Sequence, residues 1–220
     1  MPVPHPNVSQ TSSTVPHKSR PIVNSPVYVF DLDDVLMPTS ALFSNPHVKK
    51  ILQSLNRNRN RAQSQHVHAA YQQFIHVNPM LVHRIRSLKG NRYLLTNGSR
   101  SHAVASTHAL GIFPYLTNIV DANSGVGLKP DSLPYIRIEQ LIRQTYASHI
   151  PTNQPALLPP IVFFDDRLEN HIYPKRRGWT TVWIHPENTH LKPDYVDYTF
   201  PHIHAALVYF LMIQDQYNYN

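Results

Sequence analysis

Val27-Tyr28-Val29-Phe30-Asp31-Leu32-Asp33-Asp34-Val35-Leu36 is the stretch on which the fold turns. Its first four residues are apolar and favour a buried strand. That strand runs straight into three carboxylates within four positions. Like charges this close are unfavourable unless a cation or a shared proton relieves them. Such a strand end is a natural place for a metal ion and for acid–base chemistry. The same acids would also suit a turn that caps the following helix.

Similar strand ends recur downstream. Tyr93-Leu94-Leu95 reads as a short strand stopped by Thr96-Asn97-Gly98-Ser99. Ile161-Val162-Phe163-Phe164 is a second clear buried strand and ends in Asp165-Asp166. Ile119-Val120 and Thr180 to Ile184 are further strand candidates. Between them the pattern predicts a helix from Ser101 to Leu110, stopped by Gly111, and an amphipathic helix from Pro134 to Ile150. Residues 151–160 hold four prolines and predict a loop. Strands alternating with helices imply an α/β, Rossmann-like parallel sheet with helices on both faces. In such a sheet the carboxyl ends of the strands share one edge, where ligands gather. Asp31, Asp33, Thr96, Asn97, Gly98, Asp165 and Asp166 then converge. Lys129, in Gly127-Leu128-Lys129-Pro130, lies between the last two motifs and is placed to join them.

The rest of the chain divides around that core. Residues 1–25, rich in Pro, Ser, Thr and Asn, read as a disordered arm. Residues 26–36 and 91–214 form the α/β core, and 215–220 a frayed tail. Residues 37–90 predict a small helical cap inserted after the first strand. Its three helical stretches are one starting near Pro46, one over 66–77 and one over 79–88, the last ended by Gly90. Within the cap, Asn56-Arg57-Asn58-Arg59-Asn60-Arg61 is a basic run without apolar periodicity.

Composition narrows the function. Of the 220 residues none is cysteine, which excludes disulfides, thiolate nucleophiles and cysteine-bound zinc. The net charge of +7 suits an anionic ligand, phosphate or nucleic acid. No stretch approaches the roughly 20 apolar residues of a membrane helix, and the N-terminus shows no apolar signal segment. A cytoplasmic protein without membrane partners is the expectation. His66-x-His68 and His202-x-His204 have a spacing that suits a metal on a strand, but with no acid beside them they read as surface histidines.

Four motifs in this order resemble the haloacid dehalogenase superfamily, most of whose members are Mg²⁺-dependent phosphatases. They are Asp31-Leu32-Asp33-Asp34-Val35, Thr96, Lys129-Pro130 and Asp165-Asp166, and the resemblance covers about residues 27–210. Phe30 to Asp34, Thr96-Asn97-Gly98, His102, Leu110-Gly111-Ile112 and Asn170 add a likeness to the pyrimidine 5′-nucleotidase-like branch. The insert here is shorter and more basic than that branch leads one to expect. The resemblance implies Asp31 as nucleophile and Asp33 as general acid and base, the latter with a raised pKa. It implies Mg²⁺ on Asp31, the Asp33 carbonyl and Asp166, with Asp165 beside it orienting Lys129 or bound water. Lys129 would neutralise charge, and Thr96, Asn97 and Gly98 would hold phosphate. Asp34 is left as a turn or capping residue.

The expected activity is phosphomonoester hydrolysis through an aspartyl-phosphate, on a nucleoside monophosphate or similar small phosphorylated metabolite. An Asp at position 33 favours phosphoryl transfer, since the family's dehalogenases lack an acid there. Two alternatives use the basic charge. One is a phosphatase acting on nucleic-acid ends, the other an inactive module binding phosphate or nucleic acid.

Overall fold

The strand Val27–Phe30 (β1) shows why both faces of the sheet are covered. Successive side chains alternate sides. Tyr28 and Phe30 enter one buried cluster, Val27 and Val29 another. The computed structural model describes residues 25–46, 48–50, 74–147, 158–187 and 192–214. Within them β1 is joined by β2 (Arg92–Leu95), β3 (Asn118–Val120), β4 (Ile161–Asp165), β5 (Thr180–Ile184) and β6 (Tyr198–Phe200). They form one sheet in the order β3-β2-β1-β4-β5-β6, with every pairing parallel. The α/β expectation therefore holds.

Six α-helices with both ends in the described residues accompany the sheet, and residues 46 and 48–50 are also helical, where a helix near Pro46 was expected. The six are α1 (Thr39–Ser44), α2 (Pro79–Ser87), α3 (Arg100–Ala109), α4 (Ser132–Ala147), α5 (Ile172–Arg176) and α6 (Ile203–Ile213). One face of the sheet packs Tyr28, Phe30 and Phe164 against Leu81 and Ile85 of α2, Ala103 of α3 and Phe210 of α6. Phe30 stacks on Phe164 with ring centroids 4.8 Å apart, and Phe210 meets Phe164 edge-on at 5.3 Å. The opposite face packs Val29 and Phe163 against Ile138 and Ile142 of α4 and against Trp179. Each fully buried ring of this kind contributes roughly 1.5–3 kcal/mol.

Capping explains the helix starts. Asn78 accepts the Leu81 N–H at 3.0 Å, with Pro79 in the first turn of α2. Ser99 accepts the His102 N–H at 3.3 Å ahead of α3. The helix expected from Pro134 begins at Ser132 instead, with Pro134 in its first turn. Three described elements were absent from the sequence expectation: α1, β6 and α6. His202, considered above as a metal-spaced residue on a strand, precedes α6 and accepts the Ala205 N–H through Nδ1 at 3.1 Å.

Several expectations fall outside the described residues. These are the N-terminal arm up to residue 24, residues 51–73 of the insert with its arginine run and His66/His68, most of the 151–160 loop, and the tail. Within the insert, α2 packs against α6 and contributes Leu81 and Ile85 to the same cluster as Tyr28 and Phe30. Among the described residues no helix is long and apolar enough to cross a membrane.

Candidate active site

Strand order creates the site. The chain leaves β1 toward β2 and β3, then crosses to β4 on the other side of β1. The carboxyl ends of β1 and β4 flank that point of reversal, where open α/β sheets leave a crevice. Phe30 is in register with Phe164, and the Asp31 N–H donates to the Phe164 carbonyl at 2.9 Å. Asp31 and Asp165 therefore come to lie side by side, both buried.

A buried lysine offsets that juxtaposition. Lys129 Nζ lies 2.8 Å from Asp31 Oδ1 and 2.6 Å from Asp165 Oδ2. Burial works against its charge, but the two carboxylates outweigh burial and raise its pKa. When both carboxylates are ionised, one ammonium leaves one negative charge uncompensated. Asp165 Oδ1 accepts two more donors, the Arg167 N–H at 2.9 Å and Asn170 Nδ2 at 2.8 Å. Asp31 has the Leu32 N–H at 2.8 Å on the same Oδ1 that meets Lys129. Burial pushes the Asp31 carboxyl up to about 8, with Lys129 opposing and Asp165 reinforcing the shift.

Asp166 completes the acidic group. Oxygens of Asp31, Asp165 and Asp166 lie within 4.8 Å of one another. Burial, then the charge of Asp165, pushes Asp166 up to about 6. Its backbone is held by Trp183, whose Nε1 donates to the Asp166 carbonyl at 2.8 Å. An all-oxygen set with excess negative charge is what a hard divalent cation requires, so these residues fit Mg²⁺. Asp165 is already occupied by three donors, leaving Asp31 and Asp166 as the carboxylates open to an ion.

Asp33 belongs to a different environment. Its Oδ1 accepts from Thr39 Oγ1 at 2.6 Å and lies 2.8 Å from His102 Nε2. Burial tends to raise its pKa, but the hydrogen bonds and charge from His102, with Thr39 and Lys129, hold it below the usual carboxylate value. The sequence expectation of a raised pKa on Asp33 is therefore corrected. Crowding by acids was foreseen; the donors that offset it come from α1 and α3. Asp34 has a left-handed backbone, φ 57°, and turns its carboxylate away to Ser40, 2.8 Å from the N–H and 2.5 Å from the hydroxyl. It thereby satisfies Ser40 in the first turn of α1, whose N-cap position is Pro38.

The turn after β2 faces this acid. Thr96 is buried, and its Oγ1 accepts the Gly98 N–H at 3.0 Å. A Cβ on Gly98 would stand 2.7 Å from the His102 ring, 3.3 Å from Thr96 Oγ1 and 3.5 Å from Asp33 Oδ2. Glycine thus keeps open a space bordered by a hydroxyl, an imidazole and a carboxylate. The Asn97 side chain points elsewhere, bonding to the backbone of Lys129. A separate cavity of about 400 Å³ takes in Asp34, Met37, Leu42, Ile75 and Ile203, but none of Asp31, Asp33, Thr96 or Lys129.

All seven carboxyl-edge residues expected from the sequence, and Lys129, lie around this crevice. Thr39, as a partner of Asp33, was missed. His102 and Asn170, which enter the sequence reading only as part of the motif likeness, contact Asp33 and Asp165.

No protein-family model matches the chain, and no curated protein matches it in sequence. Solved structures do match. A HAD phosphatase from Thermococcus onnurineus superposes with a TM-score of 0.55 at 16% identity, covering 84% of this chain and 97% of that one. A candidate β-phosphoglucomutase from Thermotoga maritima gives 0.56 at 14% identity, covering 86% and 99%. The fold is that of the haloacid dehalogenase superfamily. An L-2-haloacid dehalogenase from Xanthobacter autotrophicus shares it, with a TM-score of 0.51 at 12% identity over 84% and 97% of the two chains. The structures that share this fold thus include both a phosphatase and a dehalogenase.

Proposed function

We propose that this HAD-fold protein is a Mg²⁺-dependent phosphomonoester hydrolase that works through an aspartyl-phosphate on Asp31. The observation that carries the reading is the presence of two differently held carboxylates at one strand end. Asp31 is buried against Lys129, whereas Asp33 borders the open space at Gly98 with Thr96. A halide leaving group needs no proton; an alkoxide does. An acid in the position of Asp33 therefore favours phosphate ester cleavage over dehalogenation.

Each residue has a task in that chemistry. Asp31 Oδ1 already meets the Leu32 N–H and Lys129, so Oδ2 would form the bond to phosphorus while Oδ1 stays on the side of the cations. As the ester P–O bond breaks, Asp33 gives its proton to the departing oxygen. Water then attacks the same phosphorus, Asp33 takes its proton, and Asp31 is released with orthophosphate. The lowered pKa makes Asp33 a strong donor but leaves few protonated copies at neutral pH. An arriving phosphate dianion, as a like charge, works in the opposite direction. Lys129 limits the repulsion between Asp31 and the phosphate. The Thr96 hydroxyl and the Asn97 N–H, just before α3, are suited to the equatorial oxygens, and the Gly98 N–H would join them by leaving Thr96 Oγ1. Asp31, Asp166 and the Asp33 carbonyl would hold Mg²⁺, which when bound supplies charge neutralisation between the carboxylate and the phosphate.

The motif likeness to pyrimidine 5′-nucleotidases supports a nucleoside monophosphate as the first substrate to test. The purified protein is expected to hydrolyse 4-nitrophenyl phosphate with Mg²⁺ and not with EDTA. Asp31→Asn is expected to lower turnover by about 10³-fold or more. Unchanged turnover in that variant would remove Asp31 as nucleophile. A panel of nucleoside monophosphates, sugar phosphates and a 5′-phosphorylated oligonucleotide would then rank substrates, and the oligonucleotide arm tests for action on nucleic-acid ends.

A further inference from the structure

Asn97 was expected to meet phosphate through its backbone, yet its side chain is committed elsewhere. Its Nδ2 donates to the Lys129 carbonyl at 2.9 Å, and its Oδ1 accepts the Lys129 N–H at 2.8 Å. A primary amide presents one donor and one acceptor side by side, complementary to the main chain of a single residue. The pair acts as one rung of a sheet ladder between two loops. Both loops arise at the carboxyl edge, one after β2 and one ahead of α4.

The loop carrying Lys129 makes this contact matter. Residues 122–128 and 130–131 are exposed or half-buried, and Lys129 is the one buried position among them. A Cβ on Gly125 would meet nothing within 4 Å. Lys129 is therefore held at two places: its ammonium by Asp31 and Asp165, and its backbone by Asn97. A lysine stem has four rotatable bonds, so a displaced backbone lets the ammonium wander among them.

We propose that Asn97 is a positioning residue for Lys129. It fixes the lysine backbone so that the ammonium bridges Asp31 and Asp165, and it ties the turn at Thr96–Gly98 to that buried cation. The proposal rests on the phosphatase reading for its kinetic consequence but not for its geometric one. Lys129 touches the attacking carboxylate rather than the leaving group. Loss of the clamp is therefore expected to act on kcat more than on KM.

The test compares wild type with Asn97→Ala, and with Asn97→Ser, whose shorter polar side chain reaches at most one of the two partners and which serves if the alanine variant does not fold. Three quantities are read: kcat and KM for 4-nitrophenyl phosphate with saturating Mg²⁺, the thermal midpoint, and the acetylation rate of Lys129 by an activated acetyl ester. Peptide mass spectrometry follows that rate, with Lys175 as internal reference. Asn97→Ala is expected to lower kcat by about 10²-fold, as an ångström-scale misplacement does, with little change in KM. Lys129 acetylation should accelerate several-fold relative to Lys175, and the serine variant should fall between. Unchanged Lys129 acetylation in a folded variant would overturn the proposal, even if activity falls. If wild type shows no Mg²⁺-dependent hydrolysis, the phosphatase reading fails, while the acetylation rates still decide whether Asn97 holds Lys129.

Discussion

The carboxyl ends of β1 and β4 carry similar acids in adjacent strands, yet the fold treats them in opposite ways. At each end the first acid, Asp31 or Asp165, is buried and shares Lys129. The acids that follow diverge. Asp33 collects donors from Thr39 and His102 and is held below the usual carboxylate range. Asp166 is pushed up to about 6 by burial and by Asp165. The difference teaches that charge at a site is assigned by neighbouring elements, not by the motif. An acid supplied with donors is held ionised; one buried beside another acid keeps its proton more readily.

The largest expected effect tests the β1 side. Asp33→Asn should lower turnover of an alkyl phosphate by about 10²–10⁴-fold, the usual contribution of a general acid or base. The loss should be smaller on 4-nitrophenyl phosphate, whose leaving group needs little protonation. Equal losses on both substrates would remove Asp33 from proton transfer to the leaving group.

A second prediction concerns what the two ends share. Lys129→Ala leaves two buried carboxylates without their cation, and breaking a buried pair typically costs about 3–5 kcal/mol. Urea denaturation at neutral pH measures this. Asp165→Asn in the same background should recover part of the loss, because one of the two opposing charges is then gone.

The smallest effect is a pH dependence that separates the ends. Asp31 and Asp166 have folded pKa values above 3.8, at about 8 and about 6. Between pH 4 and 8 the folded protein then binds more protons at these groups than the unfolded chain does. Their contribution to stability therefore falls as pH rises through that window. Asp33 has the opposite sign, contributing fully above pH 3.8 and losing that contribution as pH falls through its lowered value. In EDTA, thermal midpoints should decline toward pH 8 more in wild type than in Asp166→Asn. Mg²⁺ should restore wild type more at pH 8 than at pH 5, since it binds the ionised carboxylates. A Mg²⁺ effect independent of pH would place the ion elsewhere.

Much of this arrangement is legible in the sequence alone. β1 and β4 are four-residue apolar runs followed by acids, and such a boundary is local. The amphipathic spacing of α4 was equally plain. The element α6 was missed for a physical reason: Ile203–Ile213 is apolar almost throughout, and periodicity cannot tell such a run from a strand. Its N-cap is His202, outside the usual Ser, Thr, Asp and Asn set. The edge strand β6 has three half-buried residues and no pattern long enough to read. In the site, the acids and Lys129 were found because their order along the chain is a signal. Thr39 on Asp33, Asn170 on Asp165 and Asn97 on Lys129 were not, because each pairing depends on where a separate turn or helix lies. That is also why the sign of the Asp33 shift came out reversed.

The strand order has a dynamic consequence. β1 lies inside the sheet, with β2 and β3 on one flank and β4, β5 and β6 on the other. The three-residue strands β3 and β6 form the two rims. Local opening begins where few contacts must break, so those rims are the parts free to fray and re-form. The amides of β1 should exchange with solvent only when the whole sheet opens. Asp31 and Asp165 are thereby carried on the slowest-exchanging part of the molecule, insulated from fluctuation at either rim.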